Sequence, residues 1–144
     1  MPTTATTGHI EINDIDEFQR VVRPWDVILR QMSPGRLQVR MDYLAVNGIL
    51  LYREHLSHRI IATGATPAGF FFFGGPVSPE FDVSWCGGKL GSECLAFARS
   101  SSETDFATPD GEAHICLLVP ELLLLRYLGA EAAEAVIPNT QFLS

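Results

Sequence analysis

With 144 residues, 47% of them hydrophobic and 19% charged, the chain has the length and apolar content for one domain with a buried core, which excludes intrinsic disorder. Its formal charge of −7, with ten scattered basic residues of which Lys89 is the one lysine, excludes a phosphate-gripping surface made by these residues alone. The start, "MPTTATTGHIEINDID", has neither the basic residues nor the apolar core of a signal peptide, and no apolar run approaches the roughly 20 residues that span a bilayer, so no membrane partner is expected.

In chain order, residues 1–10 are small and polar and are expected as a flexible N-terminal arm. "NDIDEFQRVV" predicts a short helix, with Ile15, Phe18, Val21 and Val22 on one face. Asp14 is positioned to cap it, Glu17 stands three residues on in capping-box register, and Pro24 ends it. From Trp25 the period switches to two. "WDVILRQM" reads as a strand turned by "SPG". Leu37, Val39, Met41, Tyr43 and Ala45 then alternate with Gln38, Arg40 and Asp42 in a half-buried strand.

Asn47-Gly48 is the strongest two-residue hairpin signal in the chain, joining that strand to "ILLYREHLSHRII". In this second arm Leu50, Tyr52, Glu54, Leu56, His58 and Ile60 share one face, with bulges or a bend expected near Arg53 to His55. "ATGATPAG" reads as a loop. Phe70 to Phe73 suit a central strand of a two-layer β structure. "GGPVSPEF" is turn-rich. "DVSWCGGKL" is a short strand ending in a Gly-Gly turn, "ECLAFARSS" and "TDFATP" are two more, and "GEAHICLLVP" is the last. "PELLLLRYLG" is a helix with Pro120 at its start and Gly129 as stop. Many short strands with turns every eight to twelve residues or so, flanked by one helix on each side, predict a β-sandwich or small barrel.

The order of motifs resembles the N-terminal sensor domain of AraC-type transcription regulators. Asp14, Asp16, Glu17 and Phe18 match the short helix of that family, Trp25-Asp26 its W-D pair, and Gln31-Met32-Ser33-Pro34-Gly35 its turn before an alternating strand. Pro67, Gly69 and Phe73 match a P-x-G-x-x-x-F strand. Trp85, Gly88 (or Gly87) and Leu90 match a W-x-G-x-x-L turn. The resemblance implies a mainly β, cupin-like jelly-roll barrel or sandwich over residues 11–138, with 139–144 as the start of a connector or tail. It further implies a small-molecule effector, a homodimer, and DNA contact only through a C-terminal domain that this sequence does not contain.

Cupin folds also host metal enzymes, which need three or four ligands converging on the ion. His9, His55, His58 and His114 are the four histidines, and His55 and His58 fall on opposite strand faces. Glu54, His58 and His114 are the one arrangement the spacing leaves open for a small metal-dependent cupin enzyme. The other reading of these side chains is surface or hydrogen-bonded core. No nucleophile elbow and no phosphate loop is present, so neither a catalytic residue nor a cofactor is expected. Cys86, Cys94 and Cys116 are odd in number and lack C-x-x-C spacing, and are expected as buried free thiols in a reducing cytoplasm.

A ligand pocket would be the interior between strands. Alternation nominates Met41, Tyr43, Tyr52, Glu54, His58, Phe71, Phe73 and Trp85 to line it. Plain core packing is the alternative for each aromatic. Leu122, Leu125 and Leu128 share a helix face and are the candidate dimer seam, the alternative being a helix packed flat on its own sheet. A stand-alone binding cupin is the remaining reading.

Overall fold

The computed structural model describes residues 3–78, 80–90 and 94–129 and the backbone of 140–143. These residues form two antiparallel sheets that face each other, with two short helices. The first sheet has the order β1 (Ala5–Ile12), β3 (Val39–Val46), β4 (Ile49–Leu56), β11 (Ala113–Pro120), β6 (Phe70–Pro76), β9 (Leu95–Ala98) and β12 (Thr140–Leu143). The second has the order β2 (Asp26–Gln31), β5 (Ile60–Ala65), β10 (Glu103–Ala107), β7 (Val83–Trp85) and β8 (Gly88–Leu90). The helices are α1 (Ile15–Val21) and α2 (Glu121–Leu128). This is a mainly β sandwich and not a closed barrel, so of the two expected closures the sandwich is the one formed.

The hairpin signals behave as their chemistry requires. Asn47 and Gly48 both take positive φ, 51° and 80°, and Val46 pairs Ile49. Cys86 and Gly87 do the same at 49° and 83°, joining β7 to β8. That turn is therefore Cys-Gly, one residue earlier than the expected Gly-Gly, and Gly88 already belongs to β8. Two positive φ values give the backbone twist that matches paired strands.

The "SPG" turn does something different from a hairpin. It carries the chain from β2 in one sheet to β3 in the other. Ser33 Oγ donates to Asp110 Oδ1 at 2.5 Å, the Arg59 backbone N–H donates to the same oxygen at 2.7 Å, and Gln31 Nε2 donates to the carbonyls of Ser33 and Gly35. The Ser33 and Arg59 bonds hold Asp110 below the usual carboxylate range.

Three expectations about order are corrected. The N-terminal arm is strand from Ala5, paired with β3 along its whole length. Its polar residues suit an edge strand with one solvated face, and the ring of Tyr43 lies over Gly8. "ATGATPAG" is strand as far as Ala65, because β5 is paired on both sides, by β2 and β10. Residues 140–143 pair with β9, and the stretch 130–139 lies outside the described residues. The bend expected at Arg53 to His55 falls instead after Leu56. Pairing with β3 and β11 keeps β4 straight up to that point.

The core has two lobes. One gathers Phe18 of α1 with Ile12, Leu37, Val39, Leu56 and Ile60. Asp14 caps α1, accepting from the N–H groups of Asp16 and Glu17. Gln19 ties the helix to β2, accepting from the N–H of Leu29 at 2.8 Å and donating to the carbonyl of Val27. The other lobe gathers Phe72, Val83, Trp85, Leu90, Ala96, Ala98, Cys116 and Leu118 from both sheets. Of the three cysteines, only Cys116 is buried; Cys86 is exposed at its turn and Cys94 half-buried, which corrects the expectation of three buried thiols.

Candidate functional site

Between the sheets lies a cavity of about 70 Å³. Its walls are mostly apolar and aromatic, with Trp85, Phe72 and Phe106 close to one another: ring centroids are 5.1 Å apart for Phe72–Trp85 and 6.3 Å for Trp85–Phe106. Ala62, Gly74 and Ala96 put small residues on its walls. At Gly74 even one added carbon would meet the Phe72 ring at 2.7 Å. A neighbouring cavity of about 200 Å³ lies where the end of α1 meets β3 and β4. Both are lined by Val22, Trp25, Tyr52 and Glu54, so the Trp25–Tyr52 hydrogen bond, 2.8 Å from Nε1 to Oη, stands at their common wall.

One buried ionic cluster faces this space. β4 and β11 pair so that His114 sits opposite Glu54 and Cys116 opposite Tyr52. His114 Nε2 is 3.2 Å from Glu54 Oε1, and His114 Nδ1 is 2.7 Å from Glu112 Oε2. The three residues are 8%, 6% and 0% exposed. Burial pushes the imidazole down, but its hydrogen bonds to Glu112 and Glu54, with their charges, overcome that and raise it to about 10. His114 is thus an imidazolium at neutral pH, donating from both nitrogens. Tyr52 and Cys116 beside it are raised well above their usual ranges, chiefly by burial. Among the described residues, Trp85 Nε1, Thr104 Oγ1 and Glu112 Oε1 are buried without a hydrogen-bond partner, and Trp85 and Thr104 line the first cavity.

The residues nominated from sequence separate into groups. Tyr52, Glu54 and Trp85 line the first cavity. Met41 and Tyr43 face the same way, paired with Glu54 and Tyr52, and line the second. Phe71 and Phe73 lie on the opposite face of β6, packed on Phe97, and Phe72 is the inward ring. Four identical residues carry no alternation, so the inward choice could not be read from the run itself.

His58 is not on the β4 face either. The strand ends at Leu56, and His58 sits in the following turn, its Nδ1 2.7 Å from Ser57 Oγ and its ring against Gly35. The Glu54, His58 and His114 arrangement is therefore not assembled. The third member of the observed cluster is Glu112, which sequence reasoning missed. The signal was present in "GEAHIC", where Glu112, His114 and Cys116 alternate. Among the described residues no group of three or more His, Cys, Asp and Glu could hold a metal ion.

Helix α2 buries none of its residues. Leu122 is 80% exposed and Leu128 43%, while Leu125 is half-buried. The stripe named as a dimer seam thus faces outward at both ends. No helix of the described residues is long and apolar enough to cross a membrane.

No family model matches the sequence, and no curated protein matches it. Among solved structures, the fold is similar to that of the AraC-like transcriptional activator CuxR, with a TM-score of 0.64 at 13% identity. The likeness covers 95% of this chain and 55% of that one, so the chain spans about half the length of the activator. At this identity the likeness is one of fold.

Proposed function

We propose that this chain is the effector-sensing and dimerisation part of an AraC-type transcription regulator, with DNA contacted by a domain outside these residues. The observation that carries the reading is the fold likeness to a transcription activator over nearly the whole chain but only about half of that protein. The cavity between the sheets supports it, since a ligand site is typically concave and apolar with a few placed polar groups. The acidic surface is consistent with leaving DNA to another domain. The domain is not an enzyme in this reading, and it works in the cytoplasm. The mechanism is a population shift: an effector bound between the sheets favours one arrangement of the sensor pair, and the DNA-binding domains respond.

The test fuses residues 1–144 ahead of a helix-turn-helix DNA-binding domain that needs dimerisation. Operator occupancy is then measured across a small-molecule library, with sedimentation of the chain alone beside it. A dimer weakened by Leu122→Glu or Leu125→Glu, and occupancy that changes with at least one compound, are the expected results. A monomer whose fusion ignores every compound would argue against the reading.

A further inference from the structure

The two cavities differ in what they can hold. A water takes about 30 Å³ of liquid, so the first cavity, about 70 Å³, has room for about two waters and for no ring. The second, about 200 Å³, exceeds the roughly 150 Å³ in which a buried apolar pocket takes up benzene. By volume it accommodates one ring with a short substituent, and not two rings. Met41, Leu50 and Leu118 give it apolar walls, and Trp25, Tyr43 and Tyr52 border it with rings. Those rings and the Met41 thioether favour an aromatic ligand over a plain aliphatic one.

The polar groups narrow the class further. Glu54 is 6% exposed and lines this cavity. One of its carboxyl oxygens meets His114 Nε2, and the other has no hydrogen-bond partner among the described residues. A hydroxyl both donates and accepts, so it pairs with that oxygen whether or not the carboxyl carries a proton. The Trp25 Nε1–H is taken by Tyr52, and the two ring nitrogens of His114 are taken by Glu54 and Glu112. Among the described residues lining this cavity Arg23 is the one Lys or Arg, and it is exposed. A carboxylate on the ligand would thus be buried without a cation of its own, which is costly.

Resting on the reading of this domain as an effector sensor, we propose that the second cavity is the ligand site and that it takes a neutral, single-ring compound bearing a hydroxyl, a small phenol. The ring lies against Met41, Leu50 and Leu118, and the hydroxyl pairs with the second carboxyl oxygen of Glu54. A ligand so placed touches Trp25. The Trp25 ring stands edge-on to Phe72 with centroids 4.9 Å apart, and Phe72 lies 5.1 Å from Trp85, so both indoles report its arrival, Trp25 the more strongly.

The test is an NMR titration of the isotope-labelled chain with four compounds, read at the indole N–H groups of Trp25 and Trp85, the chain's two tryptophans. 4-Ethylphenol is the fitting ligand. Ethylbenzene lacks the hydroxyl, 4-ethylbenzoate replaces it with a charge, and 4-phenylphenol adds a second ring. The inference expects 4-ethylphenol to move Trp25 most and Trp85 less, and to bind at least tenfold more tightly than each of the other three. Val21→Phe and Leu50→Phe, which fill the cavity from the helix and from the sheet, should each lose at least tenfold of that affinity.

Should a variant fail to fold, the four compounds on the unaltered chain still decide. Any of the other three binding within tenfold of 4-ethylphenol would overturn the class and leave the effector reading standing. A folded variant that loses less than tenfold, or no movement of Trp25 with any of the four, would overturn the site. The regulator reading would still be judged separately, by the fusion.

Discussion

Glu54 and Leu56 lie two residues apart on one face of β4, and they enter two different kinds of interior. Leu56 packs in an all-apolar lobe with Ile12, Phe18, Leu37, Val39 and Ile60, and with Phe18 and Ile60 it forms an apolar wall of the cavity. Glu54 opens onto a lobe with a cavity, a buried ionic cluster and unpartnered polar atoms. The same period-two alternation delivers both. The contrast comes from what the paired strand supplies: Val39 of β3 beside Leu56, and His114 of β11 beside Glu54. A core needs matched volumes. The cavity wall carries small residues at Ala62, Gly74 and Ala96, with the Phe72 ring packed over Gly74.

Breaking the all-apolar lobe should have the largest effect. Phe18→Ala removes a ring that is 2% exposed and should cost about 3–5 kcal/mol, read by urea denaturation. A loss under about 1 kcal/mol would mean that this lobe is not close-packed.

In the open lobe, His114→Gln leaves two carboxylates buried without their cation and should also cost about 3–5 kcal/mol. Its signature is in pH. The folded imidazole is raised to about 10 from an unfolded value of 6.5. Its contribution is therefore complete below about pH 6.5 and is lost as pH rises towards 10. Denaturation midpoints of the unaltered chain should fall across that window, and those of His114→Gln should fall less. Equal slopes would contradict the imidazolium.

Smaller effects sharpen the comparison. Asp14→Ala, removing the cap of α1, should cost about 1 kcal/mol by the same denaturation series. Thr104→Val keeps shape and deletes a hydroxyl with no partner, so stability should be unchanged or gain up to about 1 kcal/mol. A clear loss would show that the hydroxyl is satisfied in solution.

Local chemistry was legible in the sequence. The Asp14 cap, the Asn47-Gly48 hairpin and the alternation from Leu37 to Ala45 each follow from side-chain or backbone preferences within a few residues. Pairing between distant strands was not, because it depends on which strand lies alongside. Glu112 was missed although its alternation with His114 and Cys116 carried it, and Phe71 and Phe73 were put on the wrong face because four identical rings show no alternation. His58 failed for another reason: alternation was carried past Leu56, where the strand ends and the chain crosses to the other sheet. Tyr52, Glu54 and Trp85 face the cavity where alternation places them, each paired with a neighbouring strand.

The most direct test of the central claim is a fragment screen on isotope-labelled chain, followed by two-dimensional NMR. If the cavity is a ligand site, binding fragments will perturb the Trp85 indole N–H and the amides of Thr104 and His114, and leave those of Ile12, Leu37 and Val39, which line neither cavity, undisturbed. Fragments that bind only on the outer face around α2, with the Trp85 resonance fixed throughout, would show that the space between the sheets is core.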